Sequence, residues 1–271
     1  MELKFVKYEK REHIAYVTMN RPEVMNALHP LCHLEMDRVW DDFVADKAMW
    51  VAILTGAGDK AFSAGNDLKY TSEHPEQFRA RAGEAVPADD TMRSKGGFAG
   101  LTARFDINKP IIAAVNGFAL GGGFETALAC DLIVAAEHAR FGLPEPRVGL
   151  MAASGGVHRL PRHIPLKVAM GMMLTGKHIT AQEAARWGIA NEVVPLNELM
   201  TAAKRWAAEI AQCSPLSVQA SKEAALGGLG IPLQDAIAKQ FEGSLRLFRS
   251  KDVVEGPLAF AQKRKPNWSG E

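Results

Sequence analysis

Cysteine is scarce in this chain: of 271 residues only Cys32, Cys130 and Cys213 are cysteine. An odd number at wide spacing supports neither a disulfide framework nor a zinc site, and all three read as buried small apolar residues. Excess charge of either sign is absent as well. The 32 Lys and Arg against 31 Asp and Glu leave a net charge of +1, too little to attract nucleic acid or an anionic membrane through a general field. No apolar run approaches the eighteen residues of a membrane span, and MELKFVKYEKREH at the N-terminus has no stretch suited to a signal peptide. These absences predict a cytoplasmic protein with no nucleic-acid partner and no membrane partner. The eight histidines show no metal-ligand spacing, so no metal is expected. No serine lies in a G-x-S-x-G elbow, which excludes that nucleophile.

What the chain does have is 47% hydrophobic and 23% charged residues, the balance of a globular protein with a sizeable core. Apolar, β-branched runs of strand length end in turn residues at HIAYVTM (13–19), WVAILTG (50–56), PIIAAVNG (110–117) and DLIVAAEH (131–138). Amphipathic stretches at Leu31 to Val44, Glu125 to Ala129, Pro165 to Leu174, Ala181 to Trp187 and Leu196 to Gln212 predict helices. This alternation predicts an α/β chain. AILTGAGDKAFSAGNDL and AAVNGFALGGGFETAL each read as strand, glycine turn, short apolar segment, small residue with glycine, then helix, like successive turns of one winding unit. Residues 71 to 100 break the pattern with Pro75, Pro87, mixed charge and GGFAG, and read as an inserted surface segment, a candidate pocket lid. From about Thr180 the chain reads as helical and ends in the basic QKRKPNW.

Chemistry concentrates around NGFALGGGFETALACD (116–131). GAGDKA at 56–61 matches a dinucleotide fingerprint, but FSAGND follows where a helix must open, which argues against it. Gly121 to Gly123 fit a tight strand-to-helix turn, or a helix start at which Gly122 offers its N–H to a ligand oxygen. SAGND at 63–67 offers a second such donor. Glu125 is a common kind of first-turn carboxylate by itself, and Glu145 in FGLPEPRVGL is a turn residue among prolines. Together they suggest paired acid and base work on one water. SGGVH at 154–158 reads as a helix start with Ser154 as its cap. Lys263, Arg264 and Lys265 form a solvated tail or a phosphate contact.

AFSAGNDL, KPIIAAVNGFALGGGFETALACDLIVA, FGLPEPRVGL, SGGVHRLPR, LTGKHITAQEAARWGIANEVVP and EGPLAFAQKRKPNW occur in the order of motifs in the crotonase, or enoyl-CoA hydratase/isomerase, superfamily. The chain resembles that family from about His13 onward, least so at 71–97. The resemblance implies an α/β fold, a crotonase-like spiral of ββα repeats over residues 1–195 with a C-terminal helical trimerisation region over 196–271. It implies an acyl-CoA thioester substrate, no separate cofactor because coenzyme A is part of the substrate, and a homotrimer or dimer of trimers. The N–H groups of Asn66 and Gly122 are implied as an oxyanion hole, Glu125 and Glu145 as catalytic carboxylates, and Ala64, Asp67, Leu68, Lys69 and Lys263 as substrate contacts.

Adding water across a double bond conjugated to a thioester builds enolate charge on the carbonyl oxygen, which two preorganised N–H donors stabilise. As in similar hydratases, Glu125 takes a proton from the water and Glu145 delivers one to the α-carbon, the roles reversing in dehydration. GGFAGLT, GGGFETALACD and EGPLAFAQKR are most similar to the carnitinyl-CoA dehydratase-like branch. A carnitinyl-CoA dehydratase or an enoyl-CoA isomerase of the same fold is the enzymatic alternative, and an RNA-binding or non-catalytic paralogue is the alternative from another class. The RNA binder calls for a lysine-rich helix and the non-catalytic paralogue for a lost acid; this sequence shows neither. It departs from the family pattern at Ala152-Ala153, where many hydratases carry Pro-Gly, and at Glu23, where many carry a basic residue.

Overall fold

The computed structural model describes residues 1–74 and 94–271. Strand β1 (Val6–Arg11) pairs antiparallel with β2 (Ile14–Met19). Beyond β2 the large sheet continues in parallel through β3 (Val51–Gly56), β5 (Ile111–Val115), β7 (Leu132–Ala136) and β10 (Glu192–Val194). A second sheet takes one short strand from each winding turn: β4 (Ala61–Ser63), β6 (Phe118–Leu120) and β8 (Arg140–Gly142) run parallel, with β9 (Ile179–Thr180) antiparallel at the edge. Each turn of the chain thus lays one strand in each sheet before a helix or loop carries it onward. This is the predicted spiral of ββα repeats.

Strict alternation along the large sheet sends side chains to two cores. Ala52, Leu54, Ala113, Val115, Ile133 and Ala135 face the main core with helix α1 (Pro30–Ala45). Val51, Ile53, Ile112, Ala114, Val134 and Ala136 face the other side, where Leu199, Ala202, Ala203 and Ala207 of a later helix cover them. Burial on both faces explains why these strands read as continuous apolar runs. Two buried asparagines hold the turn between β3 and β4. Asn26 Nδ2 donates to Ala57 and Ala61 carbonyls at 3.0 and 2.8 Å, and Asn116 Nδ2 donates to those of Gly56 and Gly58 at 2.9 and 2.8 Å.

The remaining helices among the described residues, in chain order, are α2 (Leu68–Glu73), α3 (Gly122–Ala129), α4 (Gly156–His163), α5 (Leu166–Thr175), α6 (Ala181–Arg186), α7 (Leu199–Ala211), α8 (Pro215–Gly228), α9 (Leu233–Ala238), α10 (Glu242–Phe248) and α11 (Asp252–Ala261). α7, which follows residue 195, is the helix that covers the second face of the large sheet. α8 is anchored through Lys222 Nζ, 2.7 Å from Asp131 Oδ2. The C-terminal tail folds back onto buried Asp252, which accepts from Ser214 Oγ, Ser269 N–H and Gly270 N–H.

Three sequence expectations are corrected. Cys32 and Cys130 are buried, but Cys213 is exposed, because it lies just past the end of α7. The cap of α4 is Gly155 at φ +108, with no side-chain hydrogen bond from Ser154. Of the segment expected at the surface, 75–93 lies outside the described residues, while Phe98, Ala99 and Gly100 are buried against α1 and α3. Asp37 and Trp40 of α1 fix that stretch: Gly96 N–H donates to Asp37 Oδ1 at 3.0 Å, and Trp40 Nε1 to the Ala99 carbonyl at 3.0 Å.

Candidate active site

Each glycine of the Gly121–Gly122–Gly123 run is required by a different neighbour. Gly121, at φ +53, lies against Glu145: a side chain there would stand 3.1 Å from Oε1. Gly122 lies under the ring of Phe98, whose ring carbons would be 2.5 to 2.7 Å from a Cβ. Gly123 packs against the Ser63 carbonyl, where any Cβ would overlap it. The run therefore lets a carboxylate, an aromatic ring and strand β4 close together on the first turn of α3. Gly65, at φ +92, approaches from the facing loop, and a side chain there would sit 2.9 Å from the Gly122 nitrogen.

This close approach brings two N–H groups to one place. Gly122 opens α3, so its N–H has no partner within the helix, and no hydrogen bond from it occurs among the described residues. The same holds for the Asn66 N–H. Leu28 bridges the residues on either side, donating to the Gly65 carbonyl and accepting from Asp67 N–H, which leaves the Asn66 peptide facing away. The Asn66 side chain is committed elsewhere, to Thr71 Oγ1 at 2.7 Å. Two such backbone donors, one of them at the positive end of a helix, are of the kind that can receive an anionic oxygen.

The two carboxylates sit in unlike surroundings. Glu125 is 3% exposed and accepts the N–H of Gly156 on Oε1 at 2.8 Å. Glu145 follows Pro144 at the start of a single helical turn, Glu145–Val148. Its Oε2 is buried without a hydrogen-bond partner among the described residues. Burial raises the Glu145 carboxyl above the usual carboxylate range, offset only in part by its own backbone N–H. Glu125 thus accepts a backbone N–H, while burial biases Glu145 toward its protonated form.

Among the other expected contacts, Ala64 donates its N–H to the Met25 carbonyl at 2.9 Å. Asp67 caps α2 by accepting Tyr70 N–H at 3.1 Å and pairs with Arg21 at 2.9 Å. Burial pushes the Asp67 carboxyl up, but the Tyr70 N–H and the Arg21 guanidinium outweigh it and hold it below its ordinary range. Leu68 and Lys69 are exposed on the first turn of α2, beside Asn66. Lys263 lies just past α11, at φ +54, and no hydrogen bond or ion pair among the described residues joins it to the 64–69 loop. Ala153 N–H turns back onto the Met151 carbonyl at 2.7 Å, so at the Ala152-Ala153 departure the donor is used within the turn. Sequence reasoning missed Phe98, Gly156 and Arg159. The last two lie inside SGGVHRLPR, whose order marks the family but not its contacts.

The sequence pattern of the enoyl-CoA hydratase/isomerase family matches residues 9–271. The chain belongs to that family. It is 45% identical over 261 residues to a carnitinyl-CoA dehydratase of Salmonella arizonae, covering 95% of each chain. It is 44% identical over 264 residues to one of Proteus mirabilis, covering 96% of each. Among solved structures, an enoyl-CoA hydratase from Bacillus anthracis superposes with a TM-score of 0.89 at 33% identity, covering 99% of this chain and 100% of that one. One from Mycobacterium tuberculosis H37Rv gives 0.87 at 37% identity, covering 98% and 99%. In this family member, the two-sheet spiral carries the paired donors and both carboxylates on adjoining turns.

Proposed function

We propose that the protein is a hydro-lyase that adds water across, or removes it from, the α,β bond of an enoyl-CoA thioester. The observation that carries this reading is the contrast between Glu125, bonded to Gly156 N–H, and Glu145, whose Oε2 is buried without a partner among the described residues. In hydration the thioester oxygen lies between Asn66 N–H and Gly122 N–H, so the enolate charge forms against two fixed donors and the dipole of α3. Glu125 takes a proton from the attacking water as the C–O bond forms at the β-carbon. Glu145 gives its proton to the α-carbon, the enolate collapses, and dehydration runs these steps backwards. Ala64, Asp67, Leu68 and Lys69 border the thioester path, with Asp67 held rigid by Arg21.

Both sequence relatives described above are carnitinyl-CoA dehydratases, which favours a 3-hydroxyacyl-CoA bearing a quaternary ammonium as the substrate, dehydrated to the matching enoyl-CoA. Assembly as a homotrimer or dimer of trimers is part of the proposal. Leu229, Leu233, Ile237, Phe248 and Phe260 of the C-terminal helical layer are 72% to 86% exposed in the single chain, an apolar surface that calls for cover, and a neighbour would bring Lys263 to a thioester. Sedimentation at micromolar concentration tests the assembly, and a monomer contradicts it. The activity is tested by turnover of purified protein against a panel of enoyl-CoA and 3-hydroxyacyl-CoA thioesters that includes carnitinyl-CoA.

A further inference from the structure

Arg159 stands in α4 three residues after Gly156, whose N–H holds Glu125. Its guanidinium lies beside Gly155, where any side chain would collide with Nη1. Gly155 also has φ +108, so glycine alone leaves both the turn and the guanidinium in place. At the next residue of the same turn, a side chain on Gly156 would stand 3.1 Å from Glu125 Oε1. The cation and the carboxylate thus flank one turn. Arg159 Nη2 donates to the Thr102 carbonyl at 2.9 Å, and the Thr102 hydroxyl accepts Phe98 N–H at 2.9 Å. Phe98 is the residue whose ring covers Gly122.

We propose that Arg159 is a positioning residue, which keeps Glu125 in the carboxylate form that accepts a proton from water and ties α4 to the segment that seats Phe98 over Gly122. The inference rests on Glu125 being the base of the proposed reaction. A guanidinium stays protonated even when partly buried, so Arg159 supplies a fixed positive charge beside this turn. Burial lowers the proton affinity of Arg159, and the Glu125 carboxylate is the main group that acts against that loss.

Other titratable groups facing this pair are Cys130 at the end of α3, Glu145 on the Gly121 side, and His163 in the last turn of α4. The proton affinity of His163 is lowered by burial and then by Arg159. Strands β4 and β6 and residues 98–103 bring no charged side chain. A neutral thiol and a neutral imidazole leave Arg159 as the cation of this group among the described residues.

The test replaces Arg159 by Met, which removes the charge, and by Lys, which keeps it. Titration of Glu125 is read directly by 13C NMR on protein labelled at the glutamate carboxyl carbon, with its signal assigned by loss in Glu125→Gln. That reading needs no substrate. The proposal expects the Glu125 midpoint to rise by about one pH unit or more in Arg159→Met, in line with the usual effect of losing a nearby opposite charge, and to stay near wild type in Arg159→Lys. The acidic limb of kcat/KM for enoyl-CoA hydration should move with it. An unchanged midpoint in folded Arg159→Met overturns the proposal. If that variant fails to fold, Arg159→Gln carries the same comparison. Wild-type protein that turns over no enoyl or hydroxyacyl thioester would instead remove the hydratase reading, while the titration still decides what Arg159 does to Glu125.

Discussion

Glu145 Oε1 lies 3.1 Å from where a side chain on Gly121 would begin, so the glycine that precedes α3 is also what admits the second carboxylate. Gly121→Ala should displace Glu145 and strain a backbone held at φ +53. Hydration should fall by about 10²-fold, the lower range of losing a positioned proton donor, while acyl-CoA binding changes little. Steady-state kinetics beside a binding titration check this. Equal losses in both would show that Gly121 serves only the fold.

Burial raises the folded-state pKa of Glu145 above its unfolded value, so its favourable contribution is present below the unfolded pKa and lost as pH rises through the folded one. Glu145→Gln cannot ionise. It should therefore be more stable than wild type at neutral pH, because it removes the buried charge while keeping the polar atoms in place. The difference should vanish near pH 4, about where an unfolded glutamate titrates. Urea denaturation at both pH values measures it, and a variant less stable at pH 7 would contradict the account. Activity should move the other way.

Much of this was legible in the sequence, for identifiable reasons. The strands of the large sheet that are buried on both faces stood out as apolar runs, and Gly121–Gly123, Glu125 and Glu145 stood out by residue type. Strand β1 did not, because VKYEKR is an edge strand with a charged outer face. Strands β4, β6 and β8 have three residues each, too few to show a period. Phe98 and Arg159 stayed hidden for another reason: whether an aromatic or a cation is solvated or pressed against a glycine is decided by tertiary contacts. Ser154 looked like a cap by type, yet the left-handed backbone at Gly155 took that place.

Phe98 and Gly122 should behave as one packing unit. Gly122→Ala places a methyl into the Phe98 ring and should cost about 1–3 kcal/mol, the usual range for overpacking. Phe98→Ala leaves a cavity but removes the clash, so the double variant should be more stable than the sum of the singles allows. A double-mutant cycle by denaturation reads the coupling, and simple additivity would mean that the ring moves aside freely.

The most direct test of the account is the rate of enoyl-CoA hydration by Glu125→Gln, Glu145→Gln and the double variant, on the best substrate of the thioester panel. Each single change keeps the side chain's shape but removes its titrating group, and should lower kcat by roughly 10²–10⁴. Because both carboxylates act in one transition state, the double change should cost far less than the product of the singles. Thioester binding should survive in all three, since the oxyanion donors are backbone groups. Hydration that stays intact in Glu145→Gln while Glu125→Gln abolishes it would contradict the paired mechanism and replace it with a one-acid, isomerase-like reaction.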